Sequence, residues 1–115
     1  MVEIWSAERF RKEIRDNSGF VVVEFFRSGS PAFGSLGEAL EALAESFGQG
    51  IVFGRVDVSE AEALAEKYAI RSVPTLMIFC CGRGIGEVVG EADKETLAMA
   101  ICSAMSRALE KNKKS

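Results

Sequence analysis

The sequence predicts an α/β fold in which a central, mixed five-stranded sheet carries helices on both faces. Strand-like and helix-like segments alternate in the order βαβαβαββα, a pattern typical of parallel strands joined by helical crossovers. Residues 20–26 read FVVVEFF, a nearly continuous apolar run that suits a strand covered on both faces. Two further strand-like segments flank a glycine-rich turn late in the chain, which adds an antiparallel edge.

The first half of the chain supplies two strands and two helices. A short strand over 2–5 precedes a helix over 7–16, for which Ser6 is the expected N-cap. After the strand at 20–26, apolar residues with helical spacing form one stripe, which ends at the glycines of 48–50. The stripe consists of Leu36, Ala39, Leu40, Leu43, Ala44 and Phe47.

The third strand, over 51–58, leads into a short helix. Ser59 and Glu62 have the spacing of a capping box, which predicts a helix that begins here and ends near Tyr68.

A hairpin and a long helix complete the fold. Strands are predicted over 76–79 and 85–89, with the turn between them at 80–84. Asp93 is the expected N-cap of the last helix, which should end near Leu109.

Bulk composition fits one globular domain and disfavours several kinds of partner. The 115 residues are 48% hydrophobic and 27% charged, which suits a single core over 1–110 with a flexible basic tail at 111–115. The net charge of -3 disfavours nucleic-acid and anionic-membrane partners. No apolar run approaches the roughly 20 residues of a spanning helix, and no secretory pattern begins the chain, so we expect a cytoplasmic protein.

The sequence contains no histidine and three cysteines. The absence of histidine excludes a Ser–His or Cys–His catalytic pair within the chain and any metal site that contains histidine. We therefore expect no metal and no other cofactor. An odd number of cysteines, two of them adjacent, does not form a disulfide framework and fits a reducing compartment.

Several segments resemble the thioredoxin superfamily. Residues 68–76, YAIRSVPTL, are similar to the family's segment around its cis-proline, and 23–26, VEFF, resemble the strand that leads to its active site. Gly82 and Gly90 fall where the family has a hairpin-turn glycine and a glycine beside its substrate groove. The resemblance covers essentially the whole chain and implies a thioredoxin fold with a cis Val73–Pro74 bond.

The stretch that matches the family's W-C-G-P-C-K motif reads GSPAFG over 29–34. Ser30 and Phe33 stand where the family has its attacking and resolving cysteines. Neither a hydroxyl nor a phenyl ring can exchange disulfides, so we expect no enzyme activity at these two positions. Ser30 followed by Pro31 instead suits the N-cap and N1 positions of the next helix.

The resemblance also implies a groove that holds extended peptides. Eight residues would frame it: Ser30, Pro31, Ala32, Phe33, Val73, Pro74, Gly90 and Glu91. Backbone pairing beside a cis-proline needs no cysteine, so the first hypothesis is a redox-inactive adaptor or chaperone-like module that binds a protein or peptide partner. Phe33 is either an exposed anchor beside Pro74 or a core residue.

Two further features are a pair of opposite charges on neighbouring strands and two glycines in the predicted second helix. Glu24 and Arg55 keep the charge signs of the family's buried acid and neighbouring lysine, and we expect a partly buried ion pair. Gly34 and Gly37 each cost about 1 kcal/mol inside a helix. Either the helix begins after them or another group approaches its backbone closely.

Cys80 and Cys81 carry the second hypothesis, an atypical thiol–disulfide oxidoreductase. Adjacent Cα atoms lie about 3.8 Å apart, closer than the roughly 4.4–6.8 Å usual in disulfides, and strand alternation points adjacent side chains to opposite faces. One packed and one exposed cysteine is the simpler interpretation. Arg83 is the one nearby cation in sequence that could lower a thiol pKa.

The last helix supports a third hypothesis, a homodimer. Its apolar stripe is broad, and an exposed margin could bind a second copy. The residues are Leu97, Ala98, Ile101, Cys102, Ala104, Met105, Ala108 and Leu109. Cys102 is expected there as a small apolar residue.

Overall fold

Five strands and four helices make up the computed structural model, which describes residues 2–29 and 33–113. The strands are β1 (Glu3–Ile4), β2 (Phe20–Phe26), β3 (Ile51–Asp57), β4 (Thr75–Cys80) and β5 (Arg83–Val89). The helices are α1 (Ala7–Asp16), α2 (Phe33–Phe47), α3 (Glu62–Lys67) and α4 (Lys94–Lys113). A single 3₁₀ turn, Gly48–Gly50, follows α2.

The strands form one mixed sheet in the order β1-β3-β2-β4-β5. β1, β3 and β2 are parallel, whereas β4 is antiparallel to β2 and β5 is antiparallel to β4. The predicted architecture, a mixed sheet closed by a late hairpin, is therefore confirmed. Since β4 runs opposite to β2, Cys80 lies beside Phe20 at the start of β2, and Thr75 lies beside Phe25 near its end.

β2 contributes side chains to the hydrophobic cores on both faces of the sheet. Val22 faces α2 and α4, and it packs in a core that includes Leu40 and Ile101. Val21 and Val23 face the opposite side and pack with residues of α1 and α3. All three valines are fully buried, as the continuous apolar run predicted.

An aromatic cluster anchors α1 to the sheet. The ring of Phe10 meets those of Phe25, Tyr68 and Phe79 at centroid distances of 5.9, 5.6 and 5.7 Å, each in an edge-on geometry. Edge-to-face pairs add stability beyond the buried area, because the positive edge of one ring meets the negative face of the next.

Two predicted helix caps are confirmed. Ser6 Oγ accepts a hydrogen bond from the N–H of Arg9 at 3.0 Å, and Asp93 Oδ1 accepts one from the N–H of Thr96 at 2.8 Å. Each bond satisfies one of the amide donors that a helix N-terminus leaves unpaired.

The predicted capping box of Ser59 and Glu62 is wrong. Ala61 is the N-cap of α3 and makes no side-chain bond to the helix. Ser59 instead donates from its N–H and its hydroxyl to Asp57 Oδ1, at 3.0 and 2.7 Å. The reason is that the Asp57 carboxyl group is buried and needs hydrogen-bond donors.

The last helix is longer than predicted. It was expected to end near Leu109, and a flexible tail was expected from residue 111, but α4 continues to Lys113. Neither glycine nor proline follows Leu109 to end the helix, and basic side chains in a last turn complement the negative end of the helix dipole. None of the helices in the described part of the chain combines the length and the apolar character needed to cross a bilayer.

Candidate functional site

A tight turn holds the two adjacent cysteines. Cys80 pairs with Arg83 across the β4–β5 ladder, which leaves Cys81 and Gly82 as a two-residue turn. Their φ angles are 55° and 80°. Two positive φ angles characterise the turns whose twist matches that of a hairpin. The predicted turn over 80–84 is therefore too long, because both strands extend to this compact turn.

Cys81 adopts a backbone conformation that usually belongs to glycine. A non-glycine residue with positive φ brings its Cβ close to the backbone and costs about 1 kcal/mol. The side chain is exposed, and its Sγ donates to the backbone oxygen of Ser18 at 3.4 Å. This contact holds the thiol at the surface, beside the loop that joins α1 to β2.

The two sulfur atoms lie close together. Cys80 Sγ and Cys81 Sγ are 3.7 Å apart, and Cys80 is half-buried whereas Cys81 is exposed. One packed and one exposed cysteine were expected, but with side chains on opposite faces. Strand alternation does not apply, since Cys81 has left the strand and entered the turn.

Burial raises the pKa of the Cys80 thiol above its ordinary 9.0, and the hydrogen bond and charge interaction with Cys81 raise this pKa further. A buried thiol resists ionisation because the thiolate is poorly solvated there. Cys80 is therefore a neutral thiol near pH 7.

An open groove of about 490 Å³ adjoins the two thiols, between the β4–β5 turn and α4. Its lining combines cationic and apolar side chains and includes no carboxylate among the described residues. The lining residues are Cys80, Cys81, Arg83, Gly84, Ile85, Ala104, Arg107, Ala108 and Lys111. We refer to this set as the cationic groove.

A bulge in β5 fixes α4 at the groove. Ile78 pairs with Gly86 and Phe79 with Gly84, so Ile85 has no partner in the ladder. The backbone oxygen of Ile85 accepts a hydrogen bond from Arg107 Nη2 at 3.3 Å. The freed carbonyl group therefore orients one of the groove's cations.

The opposite end of the sheet contains the described part of the predicted peptide groove. The Val73–Pro74 bond is cis, and the backbone oxygen of Pro74 accepts from the N–H of Gly90 at 2.8 Å. The structure thus brings Pro74 and Gly90 into contact, with Val73 and Glu91 as their neighbours in the chain. The other predicted members, 30–32 and the side chain of Phe33, lie outside the described residues, so the complete groove stays a prediction.

Glu24 and Arg55 form the expected ion pair on neighbouring strands. Arg55 Nε lies 2.6 Å from Glu24 Oε1, with the two side chains 12% and 0% exposed. Arg55 also lies over the ring of Phe26, 4.5 Å from its centroid. Burial raises the pKa of Glu24 above 4.5, and this effect outweighs the lowering by Arg55. Within the described residues, Glu24 Oε2 has no hydrogen-bond partner.

The same arginine explains a glycine inside α2. Gly34 and Gly37 both lie within the helix, so the alternative of a later helix start is wrong. A Cβ atom on Gly37 would lie 3.3 Å from Arg55 Nη2. The guanidinium group of Arg55 is therefore the group that approaches the helix backbone.

A buried aspartate two residues after Arg55 on β3 was missed by the sequence analysis. Asp57 is 8% exposed and accepts hydrogen bonds from the hydroxyl groups and N–H groups of Ser28 and Ser59. Burial raises the pKa of Asp57, but these hydrogen bonds outweigh it and hold the pKa below 3.8. An acidic residue between Val56 and Val58, inside the strand predicted over 51–58, was the available signal.

The thiols and the cis-proline belong to different ends of the sheet. Cys80 and Thr75, the neighbour of Pro74, are five positions apart along β4, and an extended strand rises about 3.3 Å per residue. The separation along the strand is thus roughly 17 Å. Cys80 and Cys81 are not part of the groove beside Pro74.

The Thioredoxin family profile matches residues 1–103. The chain belongs to the thioredoxin family. Among similar proteins, a thioredoxin from Chlamydia pneumoniae is 37% identical over 101 residues, which cover 88% of this chain and 96% of that one. A thioredoxin from Chlamydia caviae is 35% identical, with the same two coverages.

A solved structure supports the fold. A mutant thioredoxin from Halobacterium salinarum NRC-1 superimposes with a TM-score of 0.78 at 30% sequence identity. The match covers 90% of this chain and 89% of the other chain.

The expectation of a redox-inactive binding module is wrong. The thioredoxin family matches nearly the whole chain, its similar relatives are named thioredoxins, and Cys80 and Cys81 are adjacent. These findings favour the second hypothesis, a thiol–disulfide oxidoreductase. Residues 30 and 33 are serine and phenylalanine in this sequence, so any disulfide exchange would have to use other positions.

The last helix buries part of its apolar stripe. Leu97, Ile101 and Ala104 are buried, whereas Cys102, at the margin of the stripe, is exposed. Met99 is 73% exposed, and the proposed homodimer through this helix stays a prediction. Within the described residues, no cluster of three or more histidine, cysteine or acidic side chains could hold a metal ion.

Proposed function

We propose that the protein is a thiol–disulfide oxidoreductase whose reactive dithiol is Cys80 and Cys81. The observation that carries this proposal is the 3.7 Å separation of the two sulfur atoms at an exposed turn. Membership of the thioredoxin family supports the reaction class. The sequence supports the location, because Cys102 is the one other cysteine in the chain and has no neighbouring thiol in sequence.

Cys81 is the attacking group because it is the exposed member of the pair. Its thiolate attacks one sulfur atom of a substrate disulfide and displaces the other as a thiolate, which takes up a proton. A mixed disulfide between Cys81 and the substrate results. The contact with the backbone oxygen of Ser18 orients the Cys81 thiol before it loses its proton.

Cys80 completes the exchange. Its sulfur attacks Cys81 Sγ, releases the second substrate thiol and forms a Cys80–Cys81 disulfide. The substrate gains two electrons and becomes two thiols, and the protein loses the same two electrons and two protons. Adjacent cysteines form a strained disulfide, which is readily reduced, so an external dithiol restores the resting pair.

The pKa of Cys80 sets the pH dependence of the second step. Since this pKa is raised above 9.0, the Cys80 thiolate fraction increases throughout the alkaline range. Release of substrate from the mixed disulfide should therefore accelerate with rising pH. A reducing cytoplasm, expected from the sequence, is part of the proposal because it would keep the pair as thiols.

The test is dithiothreitol-driven reduction of insulin by a Cys102→Ala variant, which retains only the proposed pair. We expect a rate above that of the reagent alone, lost in Cys102→Ala/Cys81→Ser. In Cys102→Ala/Cys80→Ser the first step proceeds and the second cannot, so mass spectrometry should detect a trapped mixed disulfide.

A triple variant without cysteine provides the matched control, and circular dichroism shows that each variant is folded. The proposal is wrong if the Cys102→Ala protein reduces insulin no faster than this control. A mixed disulfide that is trapped on Cys102→Ala/Cys81→Ser and absent from Cys102→Ala/Cys80→Ser would contradict the ordered roles of the two thiols.

A further inference from the structure

Three cations lie in the cationic groove next to the thiol pair. Arg83 is the cross-strand partner of Cys80, while Arg107 and Lys111 are four residues apart on α4 and line the same groove. None of the three forms an ion pair with a carboxylate in the described part of the chain. The groove therefore carries uncompensated positive charge.

This local charge opposes that of the whole protein, whose net charge is -3. Elsewhere in the structure, Arg9 pairs with Glu13 and Arg55 pairs with Glu24, so those charges are neutralised. A concentration of one charge sign in a concave surface attracts ligands of the opposite sign and raises their rate of encounter. The cationic groove is thus complementary to an anionic ligand.

The shape of the groove favours a short, extended ligand. Ala104, Ala108 and Ile85 contribute small or apolar surface between the cations, and the thiols lie at the turn that bounds it. The stretch of α4 from Ala104 to Lys111 rises roughly 10 Å, which is the length of about three extended residues.

We propose that the cationic groove selects disulfide substrates in acidic peptide segments, with carboxylates beside the reacting sulfur atom. Arg107 and Lys111 hold the carboxylates, and the substrate disulfide reaches Cys81 at the end of the groove. This inference rests on the proposed dithiol function and adds the class of substrate to it. The reaction is the exchange described above, with the acidic peptide disulfide as the oxidant.

The test uses three five-residue peptides, each with a central cysteine in a mixed disulfide with 2-thiopyridine. Asp, Ser or Lys residues flank the cysteine, and release of 2-thiopyridone reports the rate. Rates with the Cys102→Ala protein are divided by those with mercaptoethanol, a neutral thiol, to remove intrinsic reactivity. We expect the Asp peptide to react about tenfold faster than the Lys peptide.

Salt should weaken this preference. At about 1 M salt the screening length falls to about 3 Å, so the rates with the Asp and Lys peptides should converge to within about twofold. A preference that stays unchanged at high salt would overturn the electrostatic basis of the proposal.

Two charge-matched variants test whether the cationic groove is responsible for the preference for the Asp peptide. Arg107→Gln/Lys111→Gln removes two cations from the groove, and Arg11→Gln/Lys12→Gln removes two exposed cations from α1. We expect the first variant to reduce the Asp preference to about twofold or less and the second to retain it. Equal losses in the two variants would show that net charge, and not the groove, sets the preference.

A second measurement separates this inference from the proposed function. Fluorescence anisotropy with an Asp-flanked peptide that carries serine in place of cysteine measures binding without reaction. Weaker binding to Arg107→Gln/Lys111→Gln supports the groove even if the thiols prove unreactive, and unchanged or absent binding overturns it. Equal reaction rates with all three peptides, each above the cysteine-free control, would overturn the charge selection while the oxidoreductase proposal stands.

Discussion

The two ends of the sheet differ in whether their charged side chains are buried and paired or exposed and unpaired. At the carboxyl ends of β2 and β3, Glu24 and Asp57 are buried and take their compensation from Arg55 and from serine donors. At the β4–β5 turn, cationic side chains line an open groove and have no carboxylate partner among the described residues. One end therefore pairs its charges inside the protein, and the other exposes cationic side chains in an open groove.

The same contrast holds for the burial of side chains. Glu24 is fully buried in contact with a fixed cation, whereas Cys81 is exposed in a turn at the end of a hairpin. Changes at the first end should mainly alter the stability of the fold, and changes at the second should mainly alter reactivity.

Loss of Arg55 should cause the largest loss of stability. Arg55→Met leaves the Glu24 carboxylate buried without its ion-pair partner, which costs about 3 kcal/mol at pH 7. Urea unfolding monitored by circular dichroism measures the change. The double variant Glu24→Gln/Arg55→Met should recover part of the loss. If the single variant is as stable as the double, the buried charge is not the source of the cost.

A fall in pH should change the stability contributions of Glu24 and Asp57 in opposite directions. Because the folded-state pKa of Glu24 is raised, its contribution to stability is fully present below about pH 4.5 and is lost as pH rises through the folded value. The folded-state pKa of Asp57 is lowered. The contribution of Asp57 to stability is therefore present above about pH 3.8 and is lost as pH falls through the folded-state pKa. Urea unfolding between pH 3 and 7 should show that Glu24→Gln removes only the first dependence. A Glu24→Gln protein with an unchanged profile would contradict the assignment.

The sequence predicted the fold well because the signals are local. The FVVVEFF run of β2, the α2 stripe and the Ser6 and Asp93 caps each involve neighbouring residues whose pattern reflects burial or hydrogen bonding directly. The Glu24–Arg55 pair was also predictable, since the family resemblance aligned the two strands.

The cationic groove could not be predicted in this way. It depends on the bulge at Ile85, on the positive φ of Cys81 and on the docking of α4 over β5, which brings Lys111 near Cys80 across 31 positions of sequence. Such contacts follow from tertiary packing. A basic residue in a helix and a cysteine in a turn are common in proteins that have no such groove, so neither one predicts it.

Cys81→Asn should separate stability from reactivity at the thiol end. Asparagine tolerates the positive φ of this position better than cysteine, so we expect the variant to gain about 0.5–1 kcal/mol of stability. The same change removes the attacking thiol and should abolish insulin reduction. Urea unfolding and the reductase assay measure the two effects on one sample. A variant that loses stability, or that keeps its activity, would contradict the claim that changes at the thiol end mainly alter reactivity.

Gly37→Ala should have the smallest effect, and its sign should depend on Arg55. Alanine improves helix propensity by about 1 kcal/mol, but its Cβ would lie 3.3 Å from Arg55 Nη2 and press on a side chain held by Glu24. In the native background these effects oppose each other, and we expect a net loss of roughly 0.5 kcal/mol. In the Arg55→Met background the guanidinium group is absent, so the same substitution should stabilise α2. Urea unfolding of the four proteins gives the coupling energy between the two positions. A coupling near zero would mean that the glycine is not required by the buried ion pair, and the link between helix α2 and this end of the sheet would be lost.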